Sequence, residues 1–391
     1  MGLRPPLILI LTAGVGLLCI SLSVGYISLW HGDRDGLKHA VGRDFINMWT
    51  ASRLVEAGRT SEIFDQDLFA AAQRQHLGDD FPFHFWSYPP HTMLLTWPLS
   101  SLPYRWAFAV WTLSGLVLML YAARKFWPDG PWIWLLLLAP STFVNIFLSQ
   151  NGFLTTALAL GGFALLPRRP VIAGILFGLL TFKPHLGLLI PIALIAMRQG
   201  TAFAAAAITA LLFAAASVLV YGVDVWLWFW DSTLPHQMRF MAEGEGPFQL
   251  MMPSWFMAGR IMDLPLWLAN SVQAALALGA AALVYGVFRS AGDWRLKVAL
   301  LFVATFAASP QGFNYDMGLV SVAAICLASV AMDQGWRRGE FIVAAMCWIL
   351  PLTMMPLNAA GLPMAPLFLL ALLGYLYRRR HMAMKPGGHI N

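Results

Sequence analysis

The sequence predicts an all-α polytopic membrane protein with about twelve transmembrane helices, and three observations carry that expectation. Of 391 residues, 59% are hydrophobic and 11% are charged, where an ordinary soluble domain carries about 25% charged residues. Mean hydropathy is +0.66. Apolar runs near the length needed to cross a hydrocarbon core, about 20 residues, recur along the chain.

In order, the runs lie at about 7–30, 105–123, 132–148, 152–166, 171–182, 186–197, 202–221, 264–288, 298–309, 315–332, 341–357 and 363–377. Several hold only about 12–16 residues, a length suited to tilted, broken or re-entrant segments. The first run is longer than the apolar region of a signal peptide, and no small-x-small cleavage site follows it, so it reads as a retained span. Arg4 and Arg105 mark span ends.

Behind the first span comes a polar stretch at about 31–104. One helix is expected after Asp44 through Phe45, Trp49 and Leu54, with Gly58 at its end. A second runs from Asp65 through Leu68 and Ala72 to about Leu77, with Gly78 closing it. Phe81, Phe83, Phe85, Trp86 and Tyr88 then crowd ahead of Pro89-Pro90, which forbids a helix from continuing backwards. Aromatic rings at that density suit the lipid headgroup region, so this loop is expected to lie on the membrane surface. A second large loop spans about 222–263, and a basic tail covers about 378–391. There is no soluble domain, linker or internal repeat, so residues 1–391 form one integral membrane domain. Lack of a repeat disfavours a secondary transporter built from two related halves.

Arginine and lysine distribution sets the expected orientation. Arg124-Lys125, Arg168-Arg169, Arg198, Arg289, Arg295, Lys297, Arg337-Arg338 and Arg378-Arg379-Arg380 fall in alternate connections. The large loops are acid-rich instead: the first has nine Asp/Glu against six Lys/Arg, the second five against two. Both termini are therefore expected in the cytoplasm and both large loops in the periplasm of a bacterial inner membrane. The net charge of +6 follows from this topology and does not indicate nucleic-acid binding. Cys19, Cys326 and Cys347 lie in apolar spans and read as small core residues, not as disulfides. No metal-ligand spacing appears, so no cofactor is expected and a metal is optional.

Three polar clusters stand at the same expected ends of their spans as the first loop: Ser149-Gln150-Asn151, Thr181-Phe182-Lys183-Pro184-His185, and Ser309 through Tyr315-Asp316. Ionisable residues deep in a bilayer cost about 2.5–3.5 kcal/mol on insertion scales. Lys183 snorkelling outward and Asp316 capping the following helix would explain both blandly. Together, however, a cation and a nearby carboxylate suit group transfer from a phospholipid-like carrier. Asp44 reads from the residues alone as a helix N-cap or as a base. His84, Trp86 and His91 read as sugar-pocket aromatics or as an interfacial belt.

The chain resembles the glycosyltransferase family 87 integral membrane enzymes, relatives of the polyprenol-phosphate-mannose-dependent α-mannosyltransferases with the GT-C fold. The similarity rests on Asp44-Phe45 with Trp49, Tyr88-Pro89-Pro90, Gln150-Asn151, and Ala173-Gly174 through Gly178 to Lys183-Pro184. The Ser309-Pro310 to Tyr315-Asp316 turn is a fifth match. In such enzymes an aspartate of the first extracytoplasmic loop is the catalytic base, and Asp44 matches that position. Donor-phosphate contacts are expected at Lys183 and His185, although the family's Lys-Pro motif usually continues with Gln where His185 stands here, and Arg43 reads either as a third phosphate contact or as the partner of a nearby acid. Asp316, Gln150, Asn151, Tyr88, His91 and Trp49 fill out the expected sugar pocket.

The expected function is transfer of a hexose, by resemblance mannose, from a polyprenyl-phosphate sugar to a lipid-linked or glycan acceptor on the periplasmic face. The rival is a multi-span lipid or solute transporter that uses Lys183 and Asp316 in its substrate pathway. The long first loop with Asp44 separates them, since a transporter has little need of it.

Overall fold

The computed structural model describes residues 5–382, and every regular element within them is helical. Arg4 and the tail beyond residue 382 lie outside the described residues. Five helices are long and apolar enough to cross a membrane: Ile10–Ile27, Tyr104–Phe126, Gly200–Tyr221, Leu266–Arg289 and Glu340–Ala359. Gly152–Leu165 and Gly318–Gln334 are shorter apolar helices. Gly200–Tyr221 exposes Leu211, Leu212 and Leu219, the surface expected of a helix solvated by lipid chains. In contrast, every side chain from Leu296 to Ala308 on the helix Trp294–Ala308 is buried. That helix and Gly318–Gln334 form the centre of the bundle.

Prolines account for most departures from the expected spans. The 132–148 run divides into Trp132–Leu137 and Pro140–Leu148, because proline lacks an N–H and clashes with the preceding turn. Pro184 likewise interrupts the 171–197 region. Its first leg is Pro170–Leu179 with a tight turn at Leu180–Phe182, and its return leg comprises Pro184–Gly187 and Ile190–Ala196. A Cβ on Gly174 would lie 2.4 Å from the Ala202 carbonyl, and one on Gly178 would lie 2.5 Å from Thr209 Cβ. These contacts advance together along both helices, so Pro170–Leu179 and Gly200–Tyr221 run parallel and the return leg lies antiparallel to both. Lys183 therefore sits at the apex of a hairpin. Residues 170–182 rise only about 20 Å at 1.5 Å each, short of the ~30 Å hydrocarbon core.

The first loop is a folded unit with a core of its own. Asp65 caps the helix Gln66–Leu77 by accepting from the Asp67 and Leu68 amides, both at 3.0 Å. Gly78 ends it at φ 98°, a left-handed conformation that glycine adopts without Cβ strain. Phe45, Ile46 and Met48 of the helix Phe45–Glu56 pack with Phe69, Phe81, Met93 and Tyr104, while Val225 and Phe229 join from the second large loop. This corrects the expectation of a headgroup belt: Phe81, Trp86 and Tyr88 are 1%, 2% and 5% exposed. These three rings belong to the loop's own apolar cluster with Phe45, Phe69 and Tyr104, whereas Phe83 and Phe85 stay half-buried.

Candidate active site

Asp44 is presented by a strained turn. Gly42 and Arg43 both take positive φ, 75° and 44°, which costs a non-glycine residue about 1–2 kcal/mol. The turn is held by Tyr104, whose hydroxyl donates to the Val41 carbonyl at 2.6 Å. Arg43 also pairs with the buried Asp35 at 3.2 Å. Although Asp44 stands at the N-terminus of Phe45–Glu56, its side chain makes no capping bond to that helix. The capping alternative is thereby removed.

The Asp44 carboxylate turns instead into the protein. Gln150 Nε2 donates to Oδ2 at 2.8 Å, and His84 Nδ1 approaches Oδ1 at 3.1 Å. Gln150 in turn accepts from the Tyr88 hydroxyl at 2.8 Å. Burial pushes the Asp44 carboxyl up. His84, through its hydrogen bond and attraction, the Gln150 amide and the Arg43 charge together outweigh burial and hold it below its ordinary value of 3.8. Burial, with the Asp44 and Asp316 charges, pushes the Tyr88 phenol up, so it remains a donor. His84 is itself clamped. Gln73, fully buried, accepts from the His84 amide at 3.1 Å, donates to the His84 carbonyl at 2.7 Å, and also donates to Asn47 Oδ1 at 3.0 Å.

A second centre lies directly behind. Ser149 adopts a left-handed conformation, φ 42°, and the two residues after it serve different partners. Asn151 Oδ1 accepts from Lys183 Nζ at 2.8 Å, and Asp316 Oδ1 accepts from the same ammonium at 2.5 Å. The ammonium also sits 4.7 Å from the centre of the Tyr315 ring, a cation–π distance. Asp316 is fully buried and its other oxygen accepts from the Phe313 amide at 3.2 Å. Gly152 permits the arrangement, since a Cβ there would fall 2.1 Å from the Tyr315 carbonyl. Asn145 Nδ2 donates to that carbonyl at 2.5 Å.

A cleft opens onto the first centre. Its walls include Asp44, Asn47, His84, Gln150, Gln311 and Tyr315, with Gln237, Phe240, Met241, Phe248 and Met252 from the second large loop. Sequence reasoning treated that loop only as an acidic segment and missed its part in the wall. Gln73 and Asn47 also escaped notice, because a buried amide leaves no pattern in a single sequence.

The structure thus brings Asp44, Tyr88, Gln150, Asn151, Lys183 and Asp316 together, and sets the other expected site residues apart. Lys183 does not line the cleft. An ammonium has three N–H donors; Asp316 and Asn151 take two, and the Tyr315 ring covers the ammonium. Arg43 is engaged by Asp35. His185 keeps Nε2 buried without a hydrogen-bond partner and is not a wall residue. Trp49 donates to the Leu102 carbonyl at 3.1 Å and packs on His76 and Tyr104. His91 packs between Phe213 and Trp226, and burial pulls its pKa down to about 4. It is a neutral core residue in this arrangement.

Residues 86–310, more than half of the chain, match the family model for glycosyltransferase family 87. That segment holds Tyr88, Gln150, Asn151 and Lys183, whereas Asp44 and Asp316 lie outside it. No curated protein and no solved structure matches the chain.

Proposed function

The chain belongs to glycosyltransferase family 87, and from that premise we propose that it moves a hexose from a polyprenyl-phosphate carrier to a lipid-linked or glycan acceptor at the Asp44 cleft. It is a membrane glycosyltransferase. The donor class, mannose as the sugar, and a periplasmic site in a bacterial inner membrane are the finer parts of this proposal.

The observation that carries the reading is the Asp44 carboxylate, which is buried at a cleft, ionised, and free of any helix-capping duty. Each of its oxygens accepts one hydrogen bond and keeps a lone pair. In the proposed reaction the acceptor hydroxyl attacks the anomeric carbon and gives its proton to Asp44. The bond from that carbon to the phosphate oxygen breaks, and polyprenyl phosphate leaves with the electron pair. Gln150 and His84 fix the carboxylate so that little reorganisation is needed as the proton moves. The cleft encloses about 40 Å3, room for water but not for a hexose. Donor entry therefore requires the cleft to widen.

The test is release of polyprenyl phosphate from a donor carrying a radiolabelled sugar, measured with purified protein in lipid nanodiscs. Release that depends on added acceptor is expected. Passage of intact donor or solute across sealed proteoliposomes, without release, would favour the transporter.

A further inference from the structure

A cavity bordered by charged residues lies away from the Asp44 cleft. It occupies about 560 Å3 between the helices Tyr104–Phe126, Gly152–Leu165 and Pro170–Leu179. Its apolar wall follows Gly152–Leu165 from Leu154 to Leu165, a rise of about 16 Å at 1.5 Å per residue. That is about half of a ~30 Å hydrocarbon core, the depth of one leaflet. Lys125, Arg168 and Arg169 border the end remote from Asn151. They are exposed, and the two arginines are bracketed by Pro167 and Pro170, which restrict the backbone that presents them.

These cations are not neutralised by the protein. Arg295 takes Asp293 and Asp333, and Arg379 takes Glu340. Among the described residues, no carboxylate pairs with Lys125, Arg168 or Arg169, and Lys125 Nζ rests 5.2 Å from the Tyr121 ring centre. An apolar groove one leaflet deep, closed at its polar end by three unpaired cations, complements a lipid whose chain spans one leaflet and whose phosphate head is anionic. We propose that this groove binds an anionic glycerophospholipid, its phosphodiester on Lys125, Arg168 and Arg169 and an acyl chain along Leu154–Leu165.

The test compares phosphatidylglycerol with phosphatidylcholine, added to the full-length protein in detergent. Thermal unfolding and native mass spectrometry provide the readouts. Phosphatidylglycerol is expected to remain bound one to one and to raise the unfolding temperature more than phosphatidylcholine does, with a preference that weakens as salt rises. The Lys125→Gln/Arg168→Gln/Arg169→Gln variant should lose about a hundred-fold in affinity for phosphatidylglycerol. Ala164→Phe, which fills the groove and keeps the charges, should weaken both lipids. Equal stabilisation of the wild type by the two lipids overturns the proposal without any variant. So does an equal effect of inorganic phosphate, which marks a free-anion site, or retention of polyprenyl phosphate in preference to phosphatidylglycerol.

Discussion

Gln150 and Asn151 are adjacent in the chain yet hold different centres, Gln150 donating to Asp44 at 2.8 Å and Asn151 accepting from Lys183 at 2.8 Å. The left-handed Ser149 before them starts the divergence. One short turn thereby couples a carboxylate at the cleft to a buried ion pair behind it, and each half makes a different prediction.

Asp44→Asn should reduce sugar transfer by about 10²–10⁴-fold, the usual loss when a general base is removed. Stability at neutral pH should fall only by what the depressed carboxylate contributes, because the side chain caps no helix and the amide can still accept from Gln150 or His84. Turnover and thermal unfolding, measured on one preparation, check both parts. Near-normal turnover in the Asn variant would remove Asp44 from the chemistry.

Asp44 is held below its ordinary 3.8, so it is ionised throughout the neutral range. Because its folded pKa is depressed, its contribution to stability is present above the unfolded value and is lost as pH falls through the folded one. The acid limb of kcat/KM assigned to Asp44 should likewise appear only below about pH 4. His84→Ala deletes the largest opposing influence and leaves burial to push the carboxyl up. Its acid limb should move to higher pH while the alkaline side stays in place. An unmoved limb would show that His84 does not tune the base.

Lys183→Met separates two roles. If the ammonium serves the buried pair, its loss strands Asp316 and destabilises the fold by about 3–5 kcal/mol. Lys183→Met/Asp316→Leu should then recover much of the stability, since no buried charge is left unpaired. Chemical denaturation of the single and double variants measures this. A raised donor KM with unchanged stability would instead favour direct contact with the donor phosphate.

Orientation can be read by thiol labelling. The three cysteines are buried, so a cysteine-free background carrying Asp79→Cys or Asp129→Cys reports each loop, and both positions are exposed. An impermeant reagent applied to intact spheroplasts should label position 79 and not 129. The reverse result would put the Asp44 cleft on the cytoplasmic side.

Local chemistry made much of the architecture legible. Composition demanded a membrane solvent, and apolar runs located most of the helices. The Asp65 cap and Gly78 stop marked Gln66–Leu77 to within a residue, because capping is settled by neighbours in the chain. The break at Pro140 went unread inside the 132–148 run, and the sequence could not say which way the chain would turn after Pro184. The polar clusters were visible, since a lysine, an aspartate and a Gln-Asn pair stand out in apolar surroundings.

What only the tertiary structure decided is how those groups are paired. Asp44 and Gln150 are 106 residues apart, and Lys183 and Asp316 are 133 apart; no local pattern encodes such contacts. The sequence reads Asp44 equally as a cap or a base, and packing removed the cap by aiming its carboxylate at Gln150 and His84. It offers Lys183 as a free cation, and the hairpin apex buries it against Asp316, where desolvation makes a close counter-charge necessary. Residue types reveal which groups a bilayer will not tolerate alone, whereas the fold determines the partner that makes each one tolerable.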